Sequence, residues 1–552
     1  MASIRIDSFK GFAPAVSPVK LAEGAAQTSL NARVEASSLV PEKSPTVIEP
    51  LPSGTLSMYK WLDEYWLTSD EEESFVESPV VNDIWRRIYI AGGDYPRYSA
   101  FSVALTGYDN TLDLNAAGQP RLPATSYRLG VPAHDTALTV VVDGVADADA
   151  VEYTTAYVCT FVTQFGEEGP PSPATSFITH AENQTRTITL PDAPDGNYAF
   201  GSGSLIRIYR TATGSSGSDF LFVAEVPLAT ATYTDSTLPD DLGEIMPSSQ
   251  WFRPLDDVPS YAPDGPLKKL VLMSGGFLAG FAGRVVAFSE QFLPHAWDPS
   301  YSLLTESKVV TIQESSFGLA VLTETQPYVA VGNAPSAMGL AKLDIDQACV
   351  SANSVADLGG QVIYASPDGL VSIAGNQAAL ITDGVITREQ WQTYVPSSIR
   401  GVAFENRYYA FYNTGAVQRC IVYDPTNPAA PFMEIDLYAD IHHKSAKDDV
   451  LYLGISDNIN EFGTGSNKTM SWKSKRYYMS TDINLAWARV ISDGDVVLRI
   501  TVDDTIITTS TIRDSYPFRL PAETRGRIIE VEIVSATARV DSIVLASERV
   551  EI

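Results

Sequence analysis

Residues 161–174 read FVTQFGEEGPPSPA. A strand of alternating character runs here into Gly166-Glu167-Glu168-Gly169-Pro170-Pro171, where proline fixes φ and removes a ladder donor, so the chain must turn. Three more strand-sized runs follow: LIRIYRTATG (205–214), FLFVAEV (220–226) and ATYTDSTLPDDLGE (231–244), each closed by Gly, Ser, Asp or Pro. This is the rhythm of a small antiparallel β-sandwich, placed at residues 135–250. At Trp251-Phe252-Arg253-Pro254 the chain returns to sequence of another kind, so the sandwich is expected as an insertion in a larger all-β architecture.

Beyond the insertion, hairpin-sized units recur. LKKLVLMSGGFLAGFAGRVVAFSE (267–290), FGLAVLTETQPYVAVG (317–332), LGGQVIYASPDGLVSIAG (358–375), IRGVAFENRYYAFYN (399–413) and DVLYLGISDNINEFG (449–463) each read strand, turn, strand. Such units cannot bury a face alone and stack radially as propeller blades. The repeat is too degenerate to give the blade number. SMYKWLDEYWLTS (57–69) and WRRIYIAGG (85–93) precede the insertion, so ring closure needs strands from both sides of it. The expected fold is therefore all-β and multidomain. It has an N-terminal arm (1–45), a discontinuous β-propeller (46–134 and 251–468), an inserted fibronectin type III-like β-sandwich (135–250) and a C-terminal β-sandwich (469–552). Period-two alternation in VVLRITVDD (496–504) and IIEVEIV (528–534) supports the last module.

Composition agrees with many half-buried strands: 45% of the 552 residues are apolar and 19% charged, with 26 Tyr and 21 Phe. A formal charge of -29 repels phosphate and argues against sequence-specific DNA binding. Cys159, Cys349 and Cys420 lie far apart in apolar runs and are expected as buried thiols, in keeping with assembly in a reducing cytoplasm. The opening MASIRIDSFKGFAPAV lacks a charged segment followed by an apolar core, and no run reaches the length of a membrane span, so neither export nor a membrane anchor is expected.

No catalytic, cofactor-binding or metal-binding residues are assigned. Histidine is scarce: His134, His180, His295 and the pair His442-His443 have no Cys or His at ligand spacing, and a solvated or capping role is expected for the pair. Asp240-Asp241, Asp256-Asp257 and Asp503-Asp504 could serve as paired carboxylates, but each sits where Asp closes a turn. Pro367-Asp368-Gly369 and Ser456-Asp457-Asn458 read as blade turns for the same reason. Ser274-Gly275-Gly276, Gly280 and Gly283 lack the lysine and helix of a phosphate loop, and Gly283-Arg284 reads as a hairpin turn. The acidic tract Asp70-Glu71-Glu72-Glu73 reads as a solvated loop.

Several stretches carry a family resemblance: GFAPAVSP (11–18), with Asn31 and Leu39-Val40-Pro41 beyond it, GEEGPPSP (166–173), IRIYRT (206–211), GFLAGFAGRVVAFSEQFLPHAW (276–297), SWKSKRY (471–477) and YPFRLP (516–521). Through them the chain resembles the tail nozzle proteins of short-tailed, podovirus-type bacteriophages, also called tail tubular protein B. The resemblance implies a structural virion protein without chemistry or cofactors of its own. It would form a homohexameric ring below the portal and tail adaptor, contact tail fibres or spikes, and conduct double-stranded DNA without sequence-specific binding. It would be made in the host cytoplasm and reside in the virion tail. Acidic side chains are expected along the ring's pore, where like charge disfavours phosphate contact. Two alternatives are weighed. One is a tail adhesin recognising host glycans, for which Tyr408-Tyr409 and Tyr477-Tyr478 are candidates. The other is a propeller glycoside hydrolase.

Overall fold

The computed structural model describes residues 3–101, 126–212, 219–521 and 525–552. The 102–125 part of the expected first propeller segment lies outside the described residues, as does the end of the 205–214 run. The chain is almost entirely β, as the alternating pattern requires.

Seven sheets stand around one axis among the described residues. Blade 1 is the hairpin Ser57–Trp61 and Tyr65–Ser69, and blade 2 runs Ser74–Glu77, Ile88–Ala91, Arg97–Ser99 and Tyr127–Arg128. Blades 3 to 6 start at Leu270–Leu272, Val309–Ser315, Ala356–Asp357 and Arg400–Phe404, each continued outward by successive antiparallel strands. Blade 7 holds Ile441–Ser445, Val450–Ile455 and Asn458–Glu461, and its outermost strand is Thr46–Pro50 from the other end of the chain. The first strand of each blade neighbours the first strand of the next, and blade 7 returns to blade 1, so the ring is closed. Thr46–Pro50 pairs in antiparallel register with Asn458–Glu461, which ties the two ends of the propeller sequence by main-chain hydrogen bonds. The hairpins form as their turn residues dictate: in the blades, Gly283, at φ +55°, and Arg284 link Leu278–Ala282 to Val285–Glu290, and Ser456-Asp457 takes the positive φ values of a tight hairpin turn, as does Asp503-Asp504 in the terminal module.

Between blades 2 and 3 the chain leaves the ring to build three small sheets. These are Thr139–Asp143 with Thr185–Thr189 and Thr232–Asp235; Glu152–Thr155 with Ile178–Ala181; and Tyr157–Val162 with Leu205–Thr211 and Phe220–Pro227. Their shared core holds Tyr157, Cys159, Phe161, Ile188, Ile206 and Ile208.

The terminal module departs from the expected layout. The stretch expected as an N-terminal arm supplies strands at both its ends: Ser3–Ile6 lies on Val540–Ala546, and the hairpin Ala32–Glu35 and Ser38–Pro41 joins the same six-stranded sheet. Ala26–Leu30 sits between Phe432–Ile435 of blade 6 and Met470–Ser474, so one ten-stranded sheet runs without a break from blade 6 into the terminal module. The GFAP stretch rivets this seam. Phe12 N–H donates to Phe432 O at 2.7 Å, Phe9 meets the buried Trp472 edge-on at 5.0 Å, and Trp472 Nε1 donates to Lys10 O at 3.0 Å. A Cβ at Gly11 would stand 2.1 Å from Phe432 O, so only glycine admits this approach. Cys159, Cys349 and Cys420 are buried free thiols.

Candidate functional site

Two of the motifs quoted above meet at the seam between the inserted sandwich and the ring. The strand Tyr157–Val162 ends in the Thr163–Gly169 turn, in which Thr163 N–H donates to Glu167 O at 2.9 Å and Glu167 N–H to Thr163 Oγ1 at 3.2 Å. The turn presents its two adjacent carboxylates to different partners. Glu167 reaches blade 2, where Arg87 Nη1 donates to Oε1 and Tyr98 OH to Oε2, both at 2.6 Å. Arg87 is held in turn by Asp83, with Nε donating to Oδ2 at 2.8 Å. Glu168 faces its own module, accepting from Thr160 Oγ1 at 2.7 Å, Tyr209 OH at 2.8 Å, Arg207 Nη1 at 2.6 Å and Ser248 Oγ at 3.1 Å. Arg207 and Tyr209 belong to IRIYRT, so this motif and GEEGPPSP form one network.

Phe165 fills the apolar part of the seam, edge-on to Trp85 at 5.6 Å and Tyr98 at 5.9 Å. From blade 3, His295 of LPHAW is buried against Trp251 at 6.0 Å, and burial holds its pKa below the ordinary histidine value. Burial, followed by the Glu167 charge, raises the Tyr98 hydroxyl well above its usual range. A general acid or base needs a lone pair or proton within reach of a substrate. Here the carboxylate oxygens of Glu167 and Glu168 accept from donors inside the protein and both residues are buried, so the cluster acts as a lock.

A second polar constellation lies on the propeller axis. A cavity of about 600 Å³ is lined from or beside the first strand of every blade, by Met58, Ser74, Lys269, Thr311, Val355, Arg400 and His442 among others. Its charges are mixed: Lys268, Lys269 and Arg400 stand with Glu72, Glu73 and Asp440. Arg400 Nη2 lies 3.2 Å from Glu72 Oε1, which also accepts from Asn353 Nδ2 at 2.9 Å. Glu73 pairs with Arg97 at 2.7 Å. The acidic tract is thus partly tied into the ring and is not a wholly solvated loop. Lys269 Nζ lies 3.4 Å from Thr311 Oγ1, and burial lowers its pKa to about 8. A cavity of about 560 Å³ shares Glu72, Asn353, Arg400 and Asp440 with the first. These are volumes of small-molecule scale, far from a path for duplex DNA. The acidic wall expected above concerns a pore between copies, which this axis is not.

His442 and His443 are half-buried strand residues, not caps. They lie mid-strand in Ile441–Ser445, His442 on the axial cavity and His443 packed on Tyr59 at 4.9 Å. Burial, aided by Arg400 for His442 and by Lys60 for His443, lowers both pKa values to about 4. Asp240-Asp241 form a single 3-10 turn, Asp256 and Asp257 pair with Arg253 at 3.0 Å and Arg128 at 2.6 Å, and Asp503 accepts from Ile528 N–H at 2.9 Å. Asp368 binds Gln347 Nε2 at 2.7 Å in its blade turn. His134 Nε2 lies 3.1 Å from Thr136 Oγ1. Of the tyrosines considered for glycan contact, Tyr408 and Tyr409 are buried on the two faces of the ten-stranded sheet, while Tyr478 is exposed. Sequence reasoning missed Glu167 and Glu168 as partners of Arg87 and Arg207, because paired acids inside a Gly and Pro turn read as solvent-facing polarity.

No family model matches the chain, and no curated protein does. Solved structures similar to it include an exo-β-1,3-galactanase from Phanerochaete chrysosporium bound to β-1,3-galactotriose, at 11% identity and a TM-score of 0.22, covering 65% of this chain and 98% of that one. PorZ, a surface component of the type-IX secretion system of Porphyromonas gingivalis, is 9% identical with a TM-score of 0.24, covering 57% of this chain and 44% of that one. The AfRom2 CNH domain is 7% identical with a TM-score of 0.24, covering 63% of this chain and 94% of that one. The expectation that the chain has no chemistry is corrected on this point, since a glycoside hydrolase, the exo-β-1,3-galactanase, stands among these structures. Likenesses this distant carry no argument about a substrate or a reaction.

Proposed function

We propose that this chain is a structural subunit of a short-tailed phage tail, the nozzle. In this reading it forms a ring below the portal and adaptor, carries tail fibres or spikes on its outer modules, and lets double-stranded DNA pass without sequence-specific contact. One observation carries the reading: stretches through which the chain resembles nozzle proteins are spent on fixing modules to one another. GFAP joins blade 6 to the terminal module, GEEGPPSP joins the sandwich to blade 2, LPHAW packs on Trp251 where the chain leaves the sandwich, and SWKSKRY supplies the strand beside Ala26–Leu30. A body with stiff seams suits a subunit that transmits load and packs side by side in a closed ring. The net charge of -29 suits a conduit that does not hold its cargo.

The test is the mass of the purified full chain, alone and with the tail adaptor, followed by class averages. A hollow homohexameric ring, free or on the adaptor, is the expected result. A monomer or compact trimer that ignores the adaptor overturns it and returns weight to the glycan-binding adhesin.

A further inference from the structure

At one point in the inserted sandwich two buried guanidinium groups share a single buried carboxylate. Arg186 and Arg210 are 2% and 1% exposed, and both pair with the fully buried Asp235, whose Oδ2 accepts from Arg186 Nη2 and Arg210 Nη1, each at 2.8 Å. Tyr157 OH donates to the same oxygen at 2.7 Å. The remaining guanidinium contacts are to neutral groups: Arg186 Nε donates to Tyr157 OH at 3.1 Å, Nη1 to Gln184 O at 2.9 Å and Nη2 to Thr237 O at 3.2 Å, and Arg210 Nη2 donates to Thr237 O at 2.7 Å. Two buried guanidinium groups on one carboxylate leave a positive charge unmatched among the described residues. Such charge is costly unless something neutralises it.

Beside this pair three buried polar atoms have no hydrogen-bond partner: Thr155 Oγ1, His180 Nε2 and Arg210 Nε. Their residues are 2%, 3% and 1% exposed. All three residues line one niche of about 10 Å³ between the strands Glu152–Thr155, Ile178–Ala181 and Leu205–Thr211. That is room for one small occupant. Buried polar atoms are almost always satisfied, so three orphans around a single void indicate a missing partner. Arg210 Nε can only donate, and the Thr155 hydroxyl is free to donate.

We propose that this niche is a binding site for a monatomic anion of chloride size, held by Arg210 Nε, Thr155 Oγ1 and His180 Nε2. The anion balances the spare guanidinium charge and satisfies all three orphans. His180 Nδ1 lies 3.2 Å from Ala181 O and so keeps its proton, which means that Nε2 donates only when the ring is protonated. The groups around the ring are Arg186 and Arg210, Asp235, the Tyr153 ring at 5.9 Å and the exposed Glu182 at the niche rim. Burial holds the empty-site pKa of His180 down, so anion uptake brings in a proton and tightens as pH falls.

The test uses the full chain. Crystals grown in sodium bromide are expected to show an anomalous peak in the niche, and melting is expected at a higher temperature in sodium chloride than in sodium gluconate of equal ionic strength. Thr155→Val, which removes one unpaired hydroxyl without changing shape, is expected to weaken the apparent halide affinity about tenfold. His180→Gln is expected to abolish the pH dependence. Equal melting in both salts with no bromide peak means that the niche holds only water and overturns the proposal. A bromide peak that leaves melting and the Thr155→Val comparison unchanged marks an adventitious ion only, and also overturns it.

Discussion

The two modules outside the ring are attached in opposite ways. The inserted sandwich meets blade 2 through side chains, with Glu167 locked between Arg87 and Tyr98 in a buried seam. The terminal module meets blade 6 through main chain, along a ten-stranded sheet in which Ala26–Leu30 is the shared strand. A ladder spreads its hydrogen bonds over many residues and tolerates side-chain change, whereas a buried ion pair concentrates its contribution in two residues and exposes the attachment to a single substitution.

The sharpest way to break the comparison is Arg87→Ala. It leaves Glu167 and Asp83 buried and unpaired, and is expected to cost about 3–5 kcal/mol at the seam. The sandwich should then melt separately and become sensitive to limited proteolysis while the ring persists. A single unchanged melting transition would show that the lock is dispensable.

At the other seam a side-chain change has to act on the backbone. Gly11→Val forces a Cβ against Phe432 O and is expected to cost about 2–3 kcal/mol, seen as faster hydrogen exchange in Ala26–Leu30 and Met470–Ser474. The ring itself should respond to acid. His442 and His443 titrate near 4 in the fold against 6.5 ordinarily, so the unfolded chain takes up protons first. Stability is therefore full above about pH 6.5 and declines as pH falls towards 4, by about 2 kcal/mol for the pair after allowance for screening. Replacing both histidines by Gln should flatten melting over that window. The smallest effect is expected from Trp472→Phe, which keeps the edge-on contact with Phe9 but loses the bond to Lys10 O, at about 1 kcal/mol. Its cost should stay well below that of Arg87→Ala, as distributed attachment requires.

Much of the fold could be read along the chain because blades are local objects. Hairpins such as Leu278–Ala282 with Val285–Glu290 announce themselves by alternation and by the turn between them. The N-terminal segment could not be read this way, since Ala26–Leu30 finds its partners at Phe432–Ile435 and Met470–Ser474, more than 400 residues away. The seam cluster was hidden for a related reason: Glu167 lies 80 residues from Arg87, and nothing in a Gly-Glu-Glu-Gly turn says which carboxylate is buried.

The sequence by itself determined an all-β chain, its hairpin units, the insertion between two stretches of ring, and a strongly negative surface, because periodicity, turn chemistry and charge are properties of neighbouring residues. The tertiary structure alone decided that the seven blades of the described residues close through Thr46–Pro50, that the first residues weld blade 6 to the terminal module, and that Arg186 and Arg210 share one aspartate beside a small polar niche. Ring closure and burial of charge depend on partners brought together only when the whole chain has folded.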